Sequence, residues 1–262
     1  MIDSHLHLSD EKFDNDRDNI IKISIENKIN TFFEILCMPS EWERIKYFEK
    51  YSKNFYFSLG IHPHYFKNYS DDDIKNLEEL IQKNKQIIGV GETGIDLWYY
   101  PQNISEQIEL MLKQIDIANK HKKILVFHIR NSKENSKAYE EFFNVTKNKI
   151  KTKSIIHSFS GNYENAKKAI DSGFYIGINA TITYPKNINL REIIKKIDLT
   201  NILTETDSPY LPPQRIRGKR NDPLSIKDII ESISEITNTN PTEVEEKIEE
   251  NFQNIIMDLN KN

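Results

Sequence analysis

The chain has one cysteine, Cys37, which excludes an intramolecular disulfide framework and any CxxC metal site and suits a reducing compartment. No apolar run approaches the ~20 residues of a membrane span. The N-terminus, MIDSHLHLSDEKF, lacks the basic and apolar blocks of a signal peptide. A cytoplasmic protein without membrane attachment is therefore expected. No Gly/Ser- or Pro-rich linker and no internal repeat divides the 262 residues. Nor is there an excess of basic charge: 36 Lys and Arg stand against 40 Asp and Glu, so a nucleic-acid partner would need a local basic patch. Glycine (eight) and histidine (seven) are scarce, which makes their positions informative.

What is present is alternation. Short apolar runs occur at Ile2–Leu8, Thr31–Leu36, Tyr56–Gly60, Ile87–Val90, Ile124–His128, Ser154–His157, Phe174–Ile178 and Ile202–Glu205. Between and after them lie stretches of helical spacing: Asn15–Lys28, Asp71–Asn84, Glu106–His121, Asn162–Ser172, Leu190–Ile197, Pro223–Thr237 and Pro241–Leu259. Eight strands separated by helices predict parallel pairing through crossover helices. The length is close to the roughly 250 residues of a (β/α)8 barrel. The expected fold is α/β, a single-domain TIM barrel over residues 1–262 with a metal site at its C-terminal face. A doubly wound open sheet is the alternative.

The first strand places chemistry on that face. Asp3, His5 and His7 alternate with Ile2, Leu6 and Leu8, and strand side chains alternate with period two, so the three polar groups share one side. An HxH pair on a strand suits metal chelation, although in isolation it is a weak signal. The other histidines strengthen it. His62 and His64 follow the third strand, His128 ends the fifth and His157 ends the sixth, so six of seven gather on one predicted rim. The seventh, His121, sits among Asn119, Lys120, Lys122 and Lys123 at a helix C-terminus and reads as a solvated surface residue.

Gly89-Val90-Gly91-Glu92-Thr93-Gly94 spells a GxGxxG after a strand, but three features oppose a dinucleotide site. Glu92 would set a carboxylate beside a pyrophosphate. The aromatic stretch Leu97-Trp98-Tyr99-Tyr100-Pro101 replaces a helix opening, and the next strand ends in His128-Ile129-Arg130 rather than an acid. Small residues that bring Glu92 close to the barrel axis are the better account, and a carboxylate can bridge two ions. Asp207, in Glu205-Thr206-Asp207-Ser208-Pro209, ends the eighth strand and is placed to be a last ligand or a general base, with Glu205 deeper on the same face. Of seven arginines, Arg215, Arg217 and Arg220 fall together after the eighth strand, where barrel enzymes often bind phosphate, and Arg130 joins the same rim. An anionic, phosphate-bearing substrate is expected despite the net charge. Trp98, Tyr99 and Tyr100 fit either a base-stacking surface or a hydrophobic lid.

Taken together, Asp3-Ser4-His5-Leu6-His7, Gly60-Ile61-His62-Pro63-His64, Gly91-Glu92-Thr93-Gly94-Ile95-Asp96, His128-Ile129-Arg130, His157-Ser158-Phe159-Ser160-Gly161 and Glu205-Thr206-Asp207-Ser208-Pro209-Tyr210-Leu211 resemble the TatD family of metal-dependent deoxyribonucleases. Arg217-Gly218-Lys219-Arg220-Asn221-Asp222-Pro223 resembles a further segment of that family, and the likeness spans nearly the whole chain. The resemblance implies a TIM barrel that hydrolyses DNA phosphodiesters, as a 3′-to-5′ exonuclease, with two divalent ions (Zn, Mn or Mg). It implies that His5, His7 and Asp207 hold one ion, that His128 and His157 hold the second, and that Glu92 bridges them. His62, His64, Arg130 and Arg217 would face the substrate, while Asp207 would orient and deprotonate the attacking water. The partner is expected to be DNA, single-stranded or with free 3′ ends, and no obligate protein partner is implied. Leu97 after Asp96, Ser158 and Asn131 depart from the family's usual residues and bear on substrate preference. Alternatives are an amidohydrolase or phosphotriesterase-like enzyme of a small ester, lactone or amide, a tRNA-directed deacylase, and a non-enzymatic nucleic-acid-binding protein. The first usually bridges its metals with a carboxylated lysine where Glu92 stands, and the last would have lost at least one of the six ligand positions.

Overall fold

The structure, a computed structural model, describes residues 1–260. Eight parallel strands follow in chain order: β1 (Ile2–Leu6), β2 (Thr31–Leu36), β3 (Phe55–Leu59), β4 (Ile87–Asp96), β5 (Ile124–Arg130), β6 (Ser154–Ile156), β7 (Phe174–Ile178) and β8 (Ile202–Thr204). Each pairs with the next in one sheet. The seam between β8 and β1 is bridged just past the strand ends, where Asp207 N–H donates to the His5 carbonyl (2.9 Å) and His7 N–H to that of Ser208 (2.8 Å). Asp3 reinforces it by accepting from the Thr206 amide (2.9 Å) and hydroxyl (2.6 Å). The sheet thus curls into the TIM barrel that the alternation predicts, not an open sheet.

Helices clothe the barrel: α1 (Arg17–Glu26), α2 (Ile45–Phe48), α3 (Asp71–Lys83), α4 (Ile104–His121), α5 (Ala138–Thr146), α6 (Tyr163–Asp171), α7 (Ile188–Lys196), α8 (Ile226–Thr237) and α9 (Pro241–Asn260). Their starts follow local chemistry. Ser70 caps α3 and Asn162 caps α6, each in a reciprocal capping box with the residue three positions on. The spacing missed α2 and α5. The latter buries Tyr139, Phe142, Phe143 and Thr146, an amphipathic stripe only two turns long in a Lys- and Asn-rich stretch. Among the described residues no helix is long and apolar enough to cross a membrane.

The largest departure from expectation is β4, which runs ten residues to Asp96 instead of stopping at Val90. A strand pattern ends where apolar residues end, but here two glycines continue it. Gly91 and Gly94 have φ of 139° and 146°, and a Cβ on either would lie 2.3 Å from the Val126 carbonyl oxygen or 2.0 Å from that of His128. Only glycine permits this approach of β4 to β5. The consequence is that Glu92 and Asp96 stay on the strand, on either side of Gly94, the residue paired with His128.

Candidate metal centre

Six histidines converge at the C-terminal end of the barrel. His5 lies in β1, and His7 follows it. A carbonyl can only accept, so the 3.0 Å contact from His7 Nδ1 to the Ile35 carbonyl puts a ring proton on Nδ1 and leaves Nε2 facing Asp207 Oδ1, 3.3 Å away. Burial opposes protonation of the ring, but Cys37 and Asp207 raise its pKa, so Nε2 donates to Asp207 where a cation would otherwise sit. Behind it, buried Glu34 accepts the amides of Leu8 (2.8 Å) and Ser9 (2.7 Å), which fastens the chain leaving β1 to β2.

Glu92 sits at the centre. Its Oε2 is 3.4 Å from His5 Nε2 and 3.4 Å from Cys37 Sγ. Its Oε1 lies 2.9 Å from His128 Nδ1, 2.5 Å from His157 Nε2 and 3.5 Å from His62 Nε2. The two oxygens therefore address two different histidine groups, His5 with His7 and His62 with His128, each able to hold a cation. His5, His157 and Glu205 form a third such group, deeper in the barrel. Burial raises the Glu92 pKa, but the His157 and His62 charges and hydrogen bonds from His128 and His157 outweigh it and hold the carboxyl well below its usual range. Burial likewise opposes ionisation of Asp207, and the hydrogen bond from His7 and the charge of His5 overcome it.

The second nitrogen of each imidazole decides what the first can do. His128 Nε2 lies 2.9 Å from Asp96 Oδ2, so Nδ1 faces the cluster. Burial lowers the His128 pKa, yet the bonds to Asp96 and Glu92 prevail and push it up to about 9. His62 behaves oppositely. Its Nδ1 accepts the His64 amide (3.1 Å), and burial pushes its pKa down to about 4, so the neutral ring carries its proton on Nε2. His62 thus offers a donor, not a lone pair, although its position completes a ligand-like group. His64 Nε2 is also 2.9 Å from Asp96 Oδ2.

The residues fit a bound cation. His5 is fully buried, and neither of its ring nitrogens has a hydrogen-bond partner. Leaving a buried polar atom unsatisfied costs about 1–3 kcal/mol, and a cation at Nε2, between Glu92 and Asp207, supplies the missing partner. Burial, with a contribution from His157, pushes the His5 pKa down to about 4, which keeps the lone pair available.

Two residues escaped the sequence reading. Asp96 orients His128 and His64, and its signal was available: it is four positions after Glu92, on the same side of a strand. Glu205, seen only as deeper than Asp207, stands in a group with His5 and His157, accepts the Ser158 amide through Oε1 and leaves Oε2 unpartnered. Burial, with Asp207 nearby, raises its pKa well above the carboxylate range. One expectation is corrected. His121 is not a solvated residue: its ring lies 2.6 Å from Glu78 Oε1 with most of the side chain covered, because α3 and α4 pack side by side.

The cluster opens into a cavity of about 1200 Å³, lined among others by His7, His62, His64, Tyr99, Tyr184 and Tyr210. Arg130 and Arg217 line it too, from the β5 and β8 sides. The basic loop is less uniform than its sequence: Arg215 pairs with Asp228 and Arg220 with Asp16. Arg17, Arg44 and Arg191 donate to backbone carbonyls. Among the described residues, the guanidinium groups of Arg130 and Arg217 alone of the seven arginines have no hydrogen bond or ion pair. Each rests only on aromatic rings, Arg130 5.0 Å from the Trp98 centroid and Arg217 4.8 Å from that of Tyr184.

Over residues 2–257 the chain matches the family described as TatD related DNase. It is 36% identical over 244 residues to an uncharacterized metal-dependent hydrolase of Buchnera aphidicola, covering 89% of this chain and 90% of that one. It is 27% identical over 256 residues to the uncharacterized metal-dependent hydrolase YcfH of Escherichia coli, covering 96% and 94%. The crystal structure of YjjV, a TatD homologue from Escherichia coli, shares the fold with a TM-score of 0.87 at 22% identity, covering 97% of each chain.

Proposed function

The chain belongs to the TatD family of metal-dependent hydrolases, and we propose that it is a phosphodiesterase acting on DNA, as a 3′-to-5′ exonuclease using two divalent ions. The observation that carries this reading is the pairing of Glu92, whose two oxygens face separate histidine groups, with two unpartnered arginines in the same cavity. His5, His7 and Asp207 would hold one ion, His128 and His157 would hold the other, and Glu92 would serve both. Divalent ions bound there lower the pKa of water and offset charge on a phosphate. Imidazole-rich ligand sets favour zinc or manganese over magnesium.

The chain's own groups do the rest. Asp207 orients the attacking water and accepts its proton, since its carboxylate is ionised and reaches the cavity beside His7. The His62 N–H lies at the cavity wall as a donor for phosphate oxygens, and His64, held by Asp96 through Nε2, lines the wall beside it. Arg130 and Arg217, with no carboxylate to neutralise them, contribute fixed positive charge. The net charge of −4 describes the whole surface, not this cleft. The 3′-end polarity is proposed by analogy with the family, and a cytoplasmic location is proposed with it, which the single cysteine suits.

The test is incubation of metal-reconstituted protein with end-labelled single-stranded and duplex oligonucleotides whose 3′ ends are free or blocked. A ladder that shortens only from free 3′ ends is expected. Inertness toward every oligonucleotide with each of Zn, Mn and Mg, together with turnover of a small ester or lactone, would overturn the reading. Aminoacyl-tRNA as a parallel substrate separates the deacylase alternative.

A further inference from the structure

We propose that Trp98 and Tyr99 form a stacking platform for an unpaired nucleobase belonging to the strand whose phosphate Arg130 holds. The proposal rests on the phosphodiesterase reading of the same cleft and names what that cleft selects.

The platform is built into the end of β4. Asp96 Oδ1 accepts the amides of Trp98 (2.8 Å) and Tyr99 (3.0 Å), so the turn carrying both rings is fastened to the carboxylate that orients His128. From the metal side outward, the order is His64, Tyr99, Arg130 and Trp98. The Tyr99 ring stands edge-on to His64 with centroids 4.8 Å apart, and the Arg130 guanidinium lies 5.5 Å from the Tyr99 centroid and 5.0 Å from that of Trp98. Lys133 adds a second cation, 5.9 Å from the Trp98 centroid.

A hydrophobic lid would cover its rings. Trp98 is instead 43% exposed and Tyr99 58%, while Tyr100 alone turns inward, against Phe66. Burying two large rings is worth several kcal/mol at roughly 25 cal/mol per Å², so leaving both in water beside a cation without an anionic partner points to a ligand that covers them. A flat ring joined to an anion at short range satisfies both features, which describes a nucleotide. In a duplex the base faces are occupied by their neighbours, so only an unstacked base can lie on the platform. The site therefore prefers single-stranded or frayed ends.

The test uses metal-loaded protein and two phosphorothioate oligomers of equal length, one with bases and one abasic, which carry the same charge. Trp42, the only other tryptophan, is buried with its N–H on the Gly60 carbonyl, so a fluorescence change on binding reports Trp98. The base-bearing oligomer should quench this emission and bind about tenfold or more tighter than the abasic one. That preference, read in the variants by anisotropy of end-labelled oligomers because they lack the Trp98 reporter, should fall to about twofold or less in the Trp98→Leu/Tyr99→Leu double variant and persist in Trp98→Phe. Equal binding of the two oligomers by the unaltered protein would overturn the platform while leaving the phosphodiesterase reading intact. Failure of either oligomer to bind, together with absence of DNA hydrolysis, would overturn both.

Discussion

Asp96→Asn changes one oxygen to nitrogen and keeps the shape, yet it should weaken cation binding at the proposed site around His128. The carboxylate serves four donors: the Nε2 atoms of His64 and His128 on Oδ2, both at 2.9 Å, and the amides of Trp98 and Tyr99 on Oδ1. Asparagine has one oxygen for these four. If that oxygen keeps the turn, its NH2 group meets two imidazole N–H donors. His128 must then move its proton to Nδ1, and the lone pair facing Glu92 and His157 is lost. If the amide flips, two backbone amides lose their acceptor at about 1–3 kcal/mol each, and the turn after β4 loosens. A polar partner behind a metal-ligating histidine typically accounts for about 10–100-fold in affinity, or about 1.4–2.8 kcal/mol. The assay is calorimetric metal titration of chelator-stripped protein, with circular dichroism to show that the variant is folded. Affinity at the proposed His128 site should weaken by about 10–100-fold, while affinity at the site proposed for His5, His7 and Asp207 stays within about threefold. Unaltered cation affinity in a folded variant would refute the tautomer argument.

Gly94→Ala should destabilise the fold by about 3 kcal/mol or more, because its Cβ would meet the His128 carbonyl oxygen at 2.0 Å in a positive-φ conformation; urea unfolding measures the loss, and a change below about 1 kcal/mol would contradict it. Arg217→Glu should weaken oligonucleotide binding and make it less salt-dependent by about one phosphate contact or more, read as the slope of log Kd against log salt; an unchanged slope would place Arg217 outside the binding path. In the metal-free protein His128, with its pKa raised to about 9, is protonated at neutral pH, so an ion binding at Nδ1 must displace that proton. Ion affinity should accordingly rise as pH increases through about 9, with roughly one proton released near neutrality in calorimetry across buffers of different ionisation enthalpy. The same shift stabilises the metal-free fold fully below the unfolded histidine value near 6.5, and the gain fades as pH rises through about 9, which thermal melts of stripped protein would show.

Much of the barrel was legible because its strands are buried on both sides and so appear as continuous apolar runs, as in Thr31–Leu36 and Phe174–Ile178, which the structure reproduces at both ends. β4 was cut short because Gly91-Glu92-Thr93-Gly94 carries no apolar run; what extends it is the fit of its glycine backbone against β5, a fact about a neighbouring strand. Helix α5 was missed because two turns of periodicity do not stand out from polar surroundings. The aromatic stretch after β4 stayed ambiguous between platform and lid until Tyr100 proved to pack inward and its two predecessors outward.

The candidate ligands could be read from the chain because chelation restricts residue type, and six histidines at strand ends are hard to explain otherwise. By itself the sequence determined the alternation, the rim on which the histidines fall, and the family. It could not determine tautomers or partners, since these depend on atoms brought together from distant strands. Only the folded chain shows that Asp96 stands behind His128, that His64 turns His62 into a donor, and that Glu78 covers His121. Likewise, the cluster of arginines after β8 spells one basic patch in sequence. Asp16, remote from it along the chain, and Asp228, in the first turn of α8, neutralise two of its members and leave Arg217 facing the cavity. Residue type and spacing are local properties of a chain, whereas the charge and proton that each group carries are set by whatever folds against it.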